Sequence, residues 1–480
     1  LITFVISVTA LLLGYFLYSK FLEKIEGADP DRETPAFKMK DGVDYVPLPC
    51  WKTFLIQLLN IAGLGPIFGA IAGAMWGPVA FLWIVLGTIF AGGVHDYFSG
   101  MLSMRYNGLS ITEITGMFLG KGVKQFMRAF TVLLMVLVGA VFIMGPAGIL
   151  AGLTPAHMTM TFWVWVVFGY YIIATLLPID KIIGRLYPVF GFALLFMAAG
   201  LITALFVKGY HIPELTLSNF RNFHVNPDKF PVFPMMFISI ACGAISGFHS
   251  TQSPLMARCI TNEMLGRRVF YGAMVSEGII ALIWAAIGMS FYGGVGALNE
   301  MMTAQKGNAA YLVNEISNSL LGRFGGLLAI LGVVAAPITS GDTAFRSARL
   351  IVADFLKIRQ GPLLNRLYIS VPLFLVGFLI TRMDFAVIWR YFAWSNQTLA
   401  MVVLWTITVY LLQTGRLYMV TLIPAFFMTA VCVSYILFAP EGFSLPGAIS
   451  HTAGIIAAVI VLTVFLVYKQ KIEKTAPGFG

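Results

Sequence analysis

The sequence predicts an all-α polytopic membrane protein of about 13 transmembrane helices, and three observations carry that expectation. Only 11% of the 480 residues are charged and 59% are hydrophobic, whereas a soluble chain carries about 25% charged residues. Apolar runs of about 20 residues, each enough for one crossing, recur along the chain and lift its mean hydropathy to +0.87. Two of these runs are interrupted by glycine, proline and polar residues, which is costly in lipid and tolerated where backbone lines a cavity or packs against protein. The 48 glycines suit close helix–helix approach.

The first run, from Leu1 to about Leu22, has Lys20 and Lys24 at its far end. No small-residue cleavage site follows it, so a retained span is expected rather than a signal peptide. Residues 23–50 hold Pro30, Pro35, Pro47 and Pro49 and read as an irregular loop against the membrane face. Spans are then expected at 54–76, 78–104, 126–152, 159–177 and 187–207. After a polar loop come 232–257, 268–295, 326–356, 366–381 and 385–413, and two simple spans, 418–438 and 449–468, close the chain. This divides the protein into an N-terminal helix and loop (1–53), two five-helix units (54–208 and 209–413) and a C-terminal helix pair (414–480). Trp51, Trp163, Trp165, Tyr170, Tyr171 and Tyr187 are expected at lipid interfaces or in helix packing.

Charge placement sets the orientation. The formal charge of +10 raises nucleic-acid binding, but the cations sit mostly in short loops between spans. Arg105, Lys121 and Lys124 share one loop, Lys181 and Arg185 another. Arg258, Arg267 and Arg268 follow, then Lys357, Arg359 and Arg366, then Lys469, Lys471 and Lys474 at the end. Counting every span puts all of them on one side, which the positive-inside rule makes the cytoplasm. The N-terminus is then outside, although the outer loop 208–231 runs against the trend with Lys208, Arg221 and Lys229.

Other classes lack their motifs. Cys50, Cys242, Cys259 and Cys432 are scattered, without CxxC or a histidine at ligand spacing, so free thiols and no metal site are expected. HExxH, GxSxG and GxxxxGK[ST] do not occur, which speaks against an enzyme and against a self-contained ATP-driven pump. A sensor or channel of the same architecture stays as a further class.

The two interrupted spans read IAGLGPIFGAIAG (61–73) and IACGAISGFHSTQSP (240–254). They lie five spans apart, and an odd number inverts the second unit relative to the first, the pattern of inverted-repeat transporters. Asn60, Gly63 and Gly65 at the first break, and Ser246, Gly247 and His249 at the second, are the candidate substrate-binding residues. Unwinding frees carbonyls before a break and N–H groups after it, and the positive end of the following half-helix suits a carboxylate. Gly65, Gly69, Gly73 and Gly77 also repeat every fourth residue, a small-residue packing stripe.

His95 and Asp96 are adjacent within the third span, so their side chains should diverge by about 100° and not pair. Asp96 reads as a proton carrier or a partner for an inward-facing arginine, and His249 as a proton relay, an anion ligand or a satisfied core histidine. Asp342 and Arg346 are four apart on one helix face, the spacing of an ion pair. Asp342 is the leading proton carrier, and Asn396 in WSNQ (394–397) is read as an interhelical hydrogen bond or a substrate contact.

The chain resembles the carbon starvation protein family, CstA. The resemblance is carried by ADPDRETPAFKMKDGVDYVP (28–47), IAGLGPIFGAIAG (61–73), AGGVHDYFSG (91–100), ACGAISGFH (241–249), TSGDTAFRSARLIVAD (339–354) and FAWSNQTLA (392–400). These stand in order over roughly residues 23–413. Longer members have paired histidines where this chain has Gln57 and Asn60, so it is similar to the shorter branch. The resemblance implies a LeuT-like core of five plus five helices and import of pyruvate or short peptides across the bacterial inner membrane. In such a core Thr339 and Ser340 would occupy a sodium-ligating position beside the first break. Proton coupling is expected, sodium is the alternative, no other cofactor is called for, and oligomeric state stays open.

Overall fold

The computed structural model describes residues 1–42, 44–176, 180–359 and 362–475, with backbone alone at 175–176, 180–188, 323–324, 328–329, 354 and 475. Residue 177, where a span was expected to end, and the side chains of Lys181, Arg185 and Tyr187 lie outside the described residues. Among the described residues the regular secondary structure is helical; the one extended pairing, Leu48 with Ile260, ties the 27–49 loop to the turn after the second break.

In chain order the helices are α1 (Ile2–Glu26), α2 (Cys50–Ile61), α3 (Gly65–Trp76), α4 (Val79–Arg105) and α5 (Ile111–Ala151). Then come α6 (Met160–Leu176), α7 (Asp180–Val207), α8 (Gly247–Ala257), α9 (Glu263–Phe291) and α10 (Val295–Ala304). The last are α11 (Ala310–Leu356), α12 (Leu363–Ile380), α13 (Phe385–Gln413), α14 (Met419–Phe438) and α15 (Gly447–Thr475). Local chemistry fixes several ends. Gly27 closes α1 in the left-handed region at φ 63°, as a glycine after a helix does. Ser110 caps α5 by accepting from Glu113 N, with the glutamate three positions on as in a capping box. Asp384 caps α13 through Ala386 N at 2.9 Å.

Ten of these helices are long and apolar enough to cross a membrane, or up to eleven with α2 and α3 taken as one bent span. Of the other two expected crossings, α6 is an apolar helix described with side chains over Met160–Ala174, and its expected end lies outside the described residues; the 232–257 segment is interrupted at Ile240–Ser246. The protein is a multi-pass membrane protein. α5 and α11 begin well before the expected 126 and 326, because each carries a helical lead-in that meets the span at a glycine of positive φ, Gly120 at 88° and Gly322 at 69°.

α1, α12 and α15 present mostly exposed apolar side chains, among them Ile6, Leu375 and Ile460, as lipid-facing helices would. α4, α5, α9 and α13 are largely buried. They enclose the two broken segments, while α11 packs along α5 and α7.

Candidate functional site

The first break begins where Ala62 leaves helical geometry at φ −80°, ψ 56°, and α2 and α3 meet at 56°. Gly63 is required there, because a Cβ would lie 2.7 Å from the Phe142 ring. The Ser340 hydroxyl lies 3.3 and 3.4 Å from the carbonyl oxygens of Leu59 and Asn60 and 2.9 Å from Ala336 O of its own helix, so Ser340 does stand beside the first break. Its neighbour Thr339 donates to Ala336 O of its own helix at 2.8 Å. The Asn60 side chain is buried, and among the described residues its Oδ1 accepts no hydrogen bond.

Part of the N–H supply expected at the half-helix starts is already used. In α3, Pro66 has no N–H, and Ile67 and Phe68 donate to Leu64 O at 3.2 and 2.7 Å. In α8 the first turn is held by Asn396 from α13. Its Oδ1 accepts from Phe248 N at 2.6 Å and Ser246 Oγ at 3.1 Å, and its Nδ2 donates to Ser246 Oγ at 2.9 Å and Cys242 Sγ at 3.3 Å. Gly247 lies so near Asn396 O and Ala400 N that a Cβ would collide with that backbone. Asn396 is therefore a helix cap in this conformation, with Ser246 and Gly247 as its seat.

The glycine stripe presses the two breaks together. A Cβ on Gly65 would collide with Cys242 and one on Gly73 with Ile240, while one on Gly69 would lie 3.0 Å from Ser239 O. Gly77 departs from the stripe and faces Phe223 at φ +85°.

The acidic centre of the site lies on α4. Asp96 Oδ1 is 2.7 Å from His95 Nδ1, and its Oδ2 is 2.8 Å from His249 Nδ1. The expected divergence of His95 and Asp96 is thus corrected. The Cβ vectors do point apart, but the two side-chain torsions of each residue let adjacent groups turn back toward one another. His249 continues to a group that the sequence reading missed, since its Nε2 is 3.3 Å from Glu277 Oε2 on α9. All four side chains are completely buried. Glu277 had a visible signal as the lone charge in GAMVSEGIIALIWAAIGMSF, and an intramembrane ionisable residue is a functional candidate by default.

Asp342 forms a separate pair. Its Oδ2 lies 3.5 Å from Arg346 Nη2, which also donates to Ala174 O at 3.1 Å. Among the described residues it forms no hydrogen bond or ion pair with the Asp96 group, so the candidate coupling residues divide into two places. A third polar group closes one end of the bundle, where Arg105 pairs with Glu26 and, at 2.8 Å, with Glu263. Arg32 reaches Glu263 at 3.0 Å, and Arg416 reaches Glu26 at 2.8 Å. Near that end a polar cavity of about 280 Å³ runs between Thr131, Thr251, Arg258 and Ser347, reaching the second half-helix.

Comparison with known proteins follows the same lines. The sequence model of the family described as "Carbon starvation protein CstA" matches residues 1–162 and 154–321. An uncharacterized membrane protein of Haemophilus influenzae is 45% identical over 349 residues, 63% of this chain and 94% of that protein. The peptide transporter CstA of Bacillus subtilis is 26% identical, covering 82% of each chain. The pyruvate/proton symporter BtsT of Escherichia coli is 27% identical over 58% of this chain and 47% of its own length. Among solved structures, MhsT in complex with L-phenylalanine superposes with a TM-score of 0.55 at 16% identity, over 86% of this chain and 97% of that one. A mutant of the Eremococcus coleocola manganese transporter gives 0.52 at 14%, over 89% and 98%. These are LeuT-fold transporters, and at such identity the likeness is one of fold. The relatives with a named activity and these structural neighbours are transporters, not enzymes.

Proposed function

Because the chain belongs to the carbon starvation protein CstA family, we propose that it is a secondary transporter importing a small carboxylate, such as pyruvate, or a short peptide, with a proton moving alongside. The observation that carries this reading is the Asp96–His249 contact at 2.8 Å. It joins an intact helix to the first turn of a broken one, so changing the charge of the pair acts directly on the element expected to move. A small carboxylate is favoured over a peptide, because a peptide ammonium needs an uncommitted acid. Asp96 and Glu277 face histidine and Asp342 faces Arg346. Asp342 gives way to Asp96 as the leading coupling acid for the same reason, its arginine being a permanent countercharge.

The architecture we assign is two inverted five-helix units, 54–208 and 209–413, between the N-terminal segment and the C-terminal pair. Matching features support it. Each unit has a break, then a widened i→i+5 turn at Thr88–Gly92 or Arg267–Tyr271, then a long helix with a positive-φ glycine at its lead-in. The setting is the bacterial inner membrane with the C-terminus in the cytoplasm, on the loop charges.

Purified protein in liposomes tests the reading. An inward pH gradient should drive accumulation of labelled pyruvate or dialanine, and movement of neither, or indifference to the gradient, refutes it. A second reading, sodium coupling, draws on Ser340 beside the Leu59 and Asn60 carbonyls, since hydroxyl and carbonyl oxygens suit hard cations. Accumulation that follows a sodium gradient at equal pH would select it.

A further inference from the structure

Glu277 has no place in the relay as read from sequence, yet its surroundings give it one. Among the described residues, both carboxylate oxygens are buried without a hydrogen-bond partner, and so is His249 Nε2, which lies 3.3 Å from Glu277 Oε2. The other ring nitrogen of His249 is engaged with Asp96, so one imidazole bridges two carboxylates on different helices. The groups acting on Glu277 are His249 and Asp96, with His95 behind Asp96 and Cys242 beside His249.

A charge count shows what this bridge lacks. With both acids ionised and the imidazoles neutral, His249 turns its one N–H to Asp96 and leaves an acceptor nitrogen facing Glu277, and an uncompensated carboxylate in a dry interior costs several kcal/mol. The cluster therefore calls for a cation. Cys242, His249 and Glu277 place ligand atoms within 4.8 Å of one another, a set that would take a soft divalent ion. The Cys242 sulfur, however, already receives Asn396 Nδ2 at 3.3 Å as part of the α8 cap. A proton fits without disturbing that cap.

We propose that Glu277 is the seat of the coupling proton and that His249 passes it to and from Asp96. In the forward step the Glu277 carboxyl gives its proton to His249 Nε2, while the proton on His249 Nδ1 moves to Asp96 Oδ2. The imidazole changes tautomer and keeps its charge, one proton has crossed from α9 to α4, and no other bond is made or broken. The transfer requires α8 to keep His249 between the two acids, so movement of the second half-helix opens or closes the relay.

This inference rests on the proton-coupled reading, and the experiment separates the two. Wild type, Glu277→Gln and Glu277→Asp are compared in liposomes for pH-driven accumulation and for counterflow, the exchange of internal for external substrate without a gradient. Wild type indifferent to pH would sink the transport reading itself. With wild type coupled, Glu277→Gln should keep counterflow and lose about tenfold or more of the pH-driven accumulation. Accumulation at the wild-type level in Glu277→Gln overturns the proposal. Glu277→Asp keeps the acid but withdraws it by one methylene, so accumulation persists while the pH profile of uptake moves. A profile unchanged in Glu277→Asp overturns the proposal even where Glu277→Gln does not fold.

Discussion

Replacing Gly65 with alanine tests whether the two breaks must touch. The added methyl would collide with Cys242 Cβ and Sγ, and Cys242 Cα would stand 3.4 Å away. The Cβ is fixed to the backbone and cannot rotate aside, so the half-helices would have to separate by about 1.5 Å to restore ordinary carbon contacts. Overpacking of this kind costs about 1–3 kcal/mol. If only one conformation of the cycle presses the breaks together, the same energy shifts the conformational balance by roughly 5- to 150-fold. Gly65→Ala should therefore lower both the thermal midpoint in detergent and the uptake rate. The double variant Gly65→Ala/Cys242→Gly removes the opposing atoms and should recover most of both, which a double-mutant cycle would register as coupling. Wild-type uptake and midpoint in Gly65→Ala, or a double variant no better than the single one, would refute the packing argument.

Three other outcomes follow from named contacts. Asn396→Ala strands the buried Phe248 N–H, now bonded at 2.6 Å, and should cost about 1–3 kcal/mol, read as a lower melting midpoint. Arg105→Lys cannot reproduce the fork that serves Glu26, Glu263, Tyr410 and Gly27 O. Leaving buried acids short of a partner costs about 3–5 kcal/mol when the pair is broken outright, so faster proteolysis of the 27–49 loop is expected. His224 in the loop 208–231 lies between Trp76 and Phe230, and burial pushes its pKa from 6.5 down to about 4. Between those values the unfolded chain binds a proton that the folded one refuses. Stability should therefore fall by up to about 3 kcal/mol as pH drops through that window and level off below it. His224→Phe should flatten this part of the pH–stability curve.

The fold was legible where composition acts over a whole span. Glycine and proline cannot continue a helix cheaply, so Gly63–Pro66 and Gly243–Gly247 marked both interruptions. The spacing of Asp342 and Arg346 likewise placed their pair on one helix face. What the sequence could not supply was tertiary. The lead-in helices 111–119 and 310–321 are too short to cross a membrane, and nothing local announces that each continues across a glycine into α5 or α11. Asn396 lies about 150 positions from the turn it caps, and nothing local to WSNQ announces which helix end it will meet.

The partly satisfied breaks change how a carboxylate would be recognised. The sequence argument left main-chain N–H groups waiting for solute, but a buried donor without a partner is expensive, and a transporter must also be stable empty. Asn396 resolves this by presenting an amide oxygen to Phe248 N, the position that a substrate carboxylate oxygen would have to claim. Its neighbour in the same helical turn, His249, faces the acids. Substrate and proton would then act on a single turn of α8, Gly247–Ser250, one by displacing a cap and the other by changing a charge. Such an arrangement couples the two without any longer path through the protein, because both bias the same movable element.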